Sequence, residues 1–121
     1  MHLTIIEHGD TRLAQPQTEE QILSTLRDAT DLIGNAYHQG ANCVILQESH
    51  LHPDFFDLKT GLAGEILQKY SNYQIKLAII GNFTKYSSKA LKAFITECNR
   101  GRQVFFVPDQ DTAIEKLSQT R

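Results

Sequence analysis

The chain has 121 residues, with 12 Lys and Arg against 14 Asp and Glu and a net charge of −2. A chain of this length buries roughly two-thirds of its unfolded surface, enough for one core without disulfide or metal staples. Hydrophobic residues make up 40% and charged residues 21%, a globular rather than a disordered composition. No basic field exists to hold a phosphate backbone, which argues against nucleic-acid binding.

The two cysteines, Cys43 and Cys98, read as small core residues rather than as a disulfide framework. Met1 to Asp10 lacks the basic stretch and long apolar run of a signal peptide, and no apolar run approaches the roughly 20 residues of a membrane span. The expectation is a cytoplasmic chain without membrane contact, in which the Asn82-Phe83-Thr84 sequon carries no meaning.

In chain order, Leu3 to His8 reads as a strand, Gly9-Asp10 as a turn and Thr11 to Ala14 as its hairpin partner, ended by Gln15-Pro16-Gln17. Thr18 and Gln21 match a capping box. Ile22, Leu26, Ala29, Ile33, Ala36 and Tyr37 then follow at helical steps, with Gly40 placed to end the helix. Gly34 inside this pattern suggests close approach to a neighbour.

Cys43 to Leu46 is apolar on both faces, as in a covered parallel strand. A polar loop from Glu48 to Pro53 leads to a helical pattern from Phe55 to Tyr70, starting at Thr60. Lys76 to Ile80 is a second covered strand. Ser87 or Ser88 caps a helix that turns Ala90, Leu91, Phe94, Ile95 and Cys98 inward and ends at Gly101. Gln103 to Val107 is the last strand, and Pro108-Asp109 opens a short helix with Ala113, Ile114 and Leu117.

Short connections without a linker predict one α/β domain over residues 1–121. Its sheet is mixed: an N-terminal β-hairpin, then three parallel strands with helical crossovers. Ile45, Ile79 and Phe105 are its expected buried centre.

In parallel sheets ligands gather beyond the carboxyl ends of the strands. That edge supplies Glu48, His50, His52, Asp54, Asp57 and Thr60 from one connection, and Asn82, Lys85 and Tyr86 from the next. These nine residues form the candidate ligand or partner surface. Glu48, His50 and His52 alternate, so in an extended loop their side chains share one side and offer a carboxylate and two imidazoles to a metal. The competing reading is a solvated loop, and stoichiometric zinc is not expected. Glu48 with Asp54 or Asp57 could serve as an acid–base pair, although Asp54 also suits a helix cap. Phe55-Phe56 fits core burial or an exposed patch. Thr60-Gly61-Leu62-Ala63-Gly64 presents either helix amides to an anion or small residues to a close neighbour. Glycine-rich nucleotide motifs are absent from the sequence, and no cofactor is implied.

Two resemblances follow from these segments. Phe55 to Lys69, with Asn72-Tyr73, Lys76 to Gly81 and Asn99-Arg100-Gly101, resembles the bacterial family called domain of unknown function 4180, which implies no activity. The element order, with the closing Ala113-Ile114-Glu115-Lys116-Leu117 helix, is similar to the STAS domain of anti-sigma-factor antagonists. That resemblance implies a regulatory fold whose Asp-Ser-Ser/Thr-Gly-Leu turn is phosphorylated just before the glycine. Here Thr60-Gly61-Leu62 is the nearest match, with Asp57 one residue too far upstream and a long Glu48 to Asp54 loop. The expected function is therefore a STAS-like binding or regulatory module with a protein partner. The alternatives are a small enzyme or metal-binding protein using Glu48, His50 and His52, and a homo-oligomer with an assembly role.

Overall fold

The computed structural model describes residues 2–119. Met1, Thr120 and Arg121, which the single-domain expectation also spans, lie outside them. Strand β1 (Leu3–His8) turns at Gly9, whose φ of 60° suits glycine, into β2 (Thr11–Pro16). Then follow α1 (Leu26–His38), β3 (Cys43–Gln47), α2 (Leu62–Asn72), β4 (Lys76–Ile80), α3 (Lys89–Arg100), β5 (Val104–Val107) and α4 (Gln110–Gln119). The five strands lie in sequence order, β1-β2-β3-β4-β5. Only β1 and β2 are antiparallel; β2-β3, β3-β4 and β4-β5 are all parallel.

Alternation along the covered strands divides the core in two. Val44, Leu46, Leu77, Ile79, Val104 and Phe106 face the layer built from α1, α2 and α3. Cys43, Ile45, Ala78, Ile80, Phe105 and Val107 face the opposite way, toward Ala113 and Leu117 of α4. Ile45, Ile79 and Phe105 are fully buried as expected. Burial on both faces is why these strands read as continuous apolar runs.

Several local expectations are corrected. β2 continues to Pro16, opposite Leu3. The Gln17 N–H to His2 carbonyl bond of 3.0 Å puts Pro16 at a position that exchanges no bond with β1, and the β2–β3 ladder ends at Ala14 and Val44. The missing N–H of Pro16 therefore costs nothing in either ladder.

The first helix starts at Leu26 rather than after Thr18. Thr25 accepts the Asp28 N–H at 3.2 Å, and the Asp28 carboxylate accepts from the Ser24 and Thr25 amides at 2.9 and 3.1 Å. This second capping box wins because Leu23, fully buried, spends its backbone on a parallel bridge to Leu51. Tyr37 faces out, 73% exposed, instead of joining the core, and Ala90 is exposed too. Gly34 and Gly64 are exposed with nothing within 4 Å of where a Cβ would stand, so neither serves a close approach within the chain. The helix expected from Thr60 begins instead at Leu62, after Gly61 in the left-handed region at φ 79°.

At the free edge of β5, the Asn99 side chain of α3 receives the Phe106 N–H at 2.7 Å and returns a bond to the Phe106 carbonyl at 3.2 Å. One amide thus takes the place of a neighbouring strand.

Candidate functional site at the strand carboxyl ends

Register sets the site. Gln47 of β3 pairs with Ile80 of β4, so Glu48 and Gly81 leave the sheet side by side. A Cβ on Gly81 would stand 2.8 Å from Glu48 Oε1 and 2.9 Å from Glu48 Cβ. Glycine at 81 is what lets the Glu48 side chain lie across the end of β4.

Beyond Gly81, the Asn82 side chain accepts the Thr84 N–H at 3.2 Å and starts a 3₁₀ turn over Phe83–Lys85. The turn delivers Lys85 and Tyr86 to Glu48. Lys85 Nζ lies 2.8 Å from Glu48 Oε2, and the Tyr86 hydroxyl donates to the same oxygen. The Glu48 side chain is only 18% exposed, against 57% for Lys85. The ammonium also lies 5.4 Å from the Tyr86 ring centroid, within cation–π range. Burial first, then the hydrogen bond and charge of Glu48, raise the Tyr86 phenol well above its usual range. The phenol is therefore a neutral donor committed to Glu48.

Aromatic rings support the group. Tyr86 stacks on Phe56 with centroids 5.1 Å apart and planes 17° apart, and Phe83 meets Phe106 edge-on at 5.2 Å. Phe55 and Phe56 are both buried, which resolves their reading in favour of the core. A cleft of about 310 Å³ opens between Glu48, Pro53, Phe56, Lys85 and Tyr86.

The loop after β3 is not extended, so the alternation of Glu48, His50 and His52 does not put them on one side. Glu48–His50 is a 3₁₀ turn, and the three side chains part company. His50 is buried. Its Nδ1 accepts the Gln47 N–H at 2.8 Å, which leaves the proton on Nε2 to donate to the Thr18 carbonyl at 2.5 Å. His52 Nδ1 accepts the Asp54 N–H at 3.0 Å. The approach of the Asp54 carboxylate to that nitrogen, 3.7 Å, is thus no ion pair. Among the described residues no three His, Cys, Asp or Glu side chains gather closely enough to hold a metal ion.

The two aspartates lie further along the same connection. His52, not Asp54, caps the 3₁₀ turn Pro53–Phe56. Asp57 caps the next, Leu58–Thr60, by accepting the Lys59 N–H at 3.3 Å. Glu48 bonds with Lys85 and Tyr86 rather than with either aspartate, so the structure assembles no carboxylate pair. Thr60 is exposed, and its hydroxyl donates to the carbonyls of Asp54 at 2.7 Å and Asp57 at 2.9 Å while accepting the Leu62 N–H at 3.2 Å.

Of the nine predicted residues, the structure therefore joins Glu48, Lys85 and Tyr86 directly and sets Asn82 at the base of their turn. His52, Asp54, Asp57 and Thr60 form a separate chain of local caps, and His50 belongs to the interior. Gly81 and Phe83 stand in the strand-end segment after β4 but are not among the nine. The signal for Gly81 was its place directly after a covered strand, where a neighbouring side chain has to cross.

No helix among the described residues is long and apolar enough to cross a membrane. No curated protein and no solved structure is detectably similar to the chain. The family model described as Domain of unknown function (DUF4180) matches residues 8–117, and the chain belongs to that family.

Proposed function

We propose that the chain is a small binding or regulatory module that engages a protein partner at the carboxyl edge of its sheet. The observation that carries this reading is the Glu48–Lys85–Tyr86 group. It is a charged cluster packed on an aromatic base, with the lysine 57% exposed above a cleft. Such a cluster presents fixed charge and hydrogen-bonding geometry to an incoming surface, which favours selectivity. The mixed sheet with its leading hairpin, parallel strands and closing α4 agrees with what a STAS-like regulatory fold would require.

A catalytic reading has less support. Glu48 is engaged by two partners at Oε2, and both nitrogens of His50 serve backbone groups. Phosphorylation at Thr60 would replace the proton given to two carbonyls and set phosphate oxygens against them. A capping role accounts for that geometry more simply.

Affinity capture from the native host, with quantitative mass spectrometry, tests the proposal. Lys85→Glu reverses the exposed charge, while Arg102→Glu makes the same change in the connection between α3 and β5, which enters the sheet at the opposite edge. A partner lost with Lys85→Glu and retained with Arg102→Glu is the expected result. A partner equally retained by both variants, or no specific partner for the wild type, would refute it.

A further inference from the structure

We infer that the outer face of α1 is a self-association surface on which a second copy of this chain docks, with the two α1 helices antiparallel across a two-fold axis at Gly34. Three observations lead there. Gly34 sits inside a thirteen-residue helix, four residues before its last, exposed, with open space where a Cβ would stand. Glycine destabilises a helix interior, and no contact within the chain accounts for it here. One turn on, Tyr37 is 73% exposed, more than any other large hydrophobic residue among those described. Thr30, Asp31, Gly34, Tyr37 and His38 fall at steps of three and four on one side of α1, around a shallow hollow of about 610 Å³. Ala29, Leu32, Ile33 and Ala36 occupy the side turned to the core.

The order of side chains along this face selects the occupant. The half before Gly34 carries the Asp31 carboxylate, an acceptor. The half after it carries the Tyr37 phenol and the His38 ring, which donate. Antiparallel pairing about Gly34 sets each residue against the one equally far on the other side. Asp31 then meets Tyr37 of the second copy and Thr30 meets His38, and the two-fold axis repeats both contacts. Parallel pairing would set Asp31 against Asp31. The missing Cβ lets the helix axes approach at the crossing, where side-chain size sets the separation, and tyrosine is among the residue types enriched as interface anchors. This surface shares no residue with the Glu48–Lys85–Tyr86 cleft, so the two proposals stand or fall separately.

Sedimentation equilibrium on the full chain tests the inference. One helix pair makes a small interface, so loading should span roughly 10–500 µM. The wild type should show a reversible dimer. Gly34→Gln, a good helix former that fills the crossing, should weaken it at least tenfold while helical circular dichroism is kept. Asp31→Lys and Tyr37→Asp should each weaken it similarly, and the double variant should recover most of the loss, which a misfolded chain would not do. Tyr73→Ala removes the other exposed aromatic, at the end of α2, and should leave the dimer unchanged. A wild type that stays monomeric throughout overturns the inference. So does a dimer indifferent to Gly34→Gln, which would place the contact elsewhere, for example on the open edge of β1.

Discussion

Glu48 and His50 are two residues apart in the same 3₁₀ turn, yet the molecule uses them in opposite ways. His50 points inward, donating to the Thr18 carbonyl on the β2 side of the edge and accepting the Gln47 amide, with both ring nitrogens spent on backbone. The Glu48 carboxylate crosses the end of β4 and bonds side chains, Lys85 and Tyr86, close to the surface. A ring bonded to backbone ties chain segments together, whereas a carboxylate bonded to an exposed ammonium and a half-buried phenol sets surface charge. A run of polar residues at a sheet edge therefore need not be one site, because a tight turn separates neighbours that an extended loop would align.

The comparison is broken most severely at His50. His50→Ala removes a buried ring and leaves the Gln47 N–H and Thr18 carbonyl without partners, so it should lower stability by about 2–4 kcal/mol in a denaturant titration. A loss well under 1 kcal/mol would mean that the imidazole does not tie the β3 loop to the segment after β2.

Gly81→Ala comes next. Its Cβ collides with Glu48 Cβ, which cannot retreat as a flexible chain end would, and the expected cost is about 1–3 kcal/mol. Glu48→Gly, which removes both the Cβ and the carboxylate that the new methyl meets, should recover part of that loss in the same background, and failure to do so would argue against the packing described.

Thr60→Ala should cost about 0.5–2 kcal/mol, because the hydroxyl closes the turn that precedes α2. Unchanged stability with altered partner capture would instead favour a switch at this position.

The smallest effect at neutral pH belongs to Tyr86→Phe, and its signature lies at alkaline pH. The folded chain holds this phenol above its ordinary value of about 10. Its contribution is complete below that value and is lost as pH rises toward the folded one. Tyr86→Phe should therefore flatten part of the alkaline decline in stability. The rest belongs to Tyr70 and Cys98, both raised mainly by burial, and to Cys43, which burial pushes up to about 11. An unaltered alkaline limb would show that Tyr86 is not held by Glu48.

The sheet was legible from the sequence because β3, β4 and β5 are buried on both faces and carry unbroken apolar runs. The start of α1 was not, since Thr18–Gln21 and Thr25–Asp28 both satisfy a capping pattern and only the tertiary bridge from Leu23 to Leu51 decides between them. Tyr37 lay at an apolar helical step, and nothing local says that this step has drifted off the core face. At the candidate site, strand-end position put Glu48, Lys85 and Tyr86 in one set, but their pairing was hidden. Glu48 and Tyr86 are separated by 38 residues and meet only because β3 and β4 are neighbours.

The most direct test joins the two properties that the account separates. Glu48→Gln combined with Lys85→Glu should be measured for equilibrium unfolding and for partner capture on the same preparation. The account predicts stability within about 1 kcal/mol of the wild type, because the glutamine amide leaves no half-buried charge unpaired and can still accept the Tyr86 hydroxyl, together with loss of the partner. Wild-type stability with the partner fully retained would contradict it.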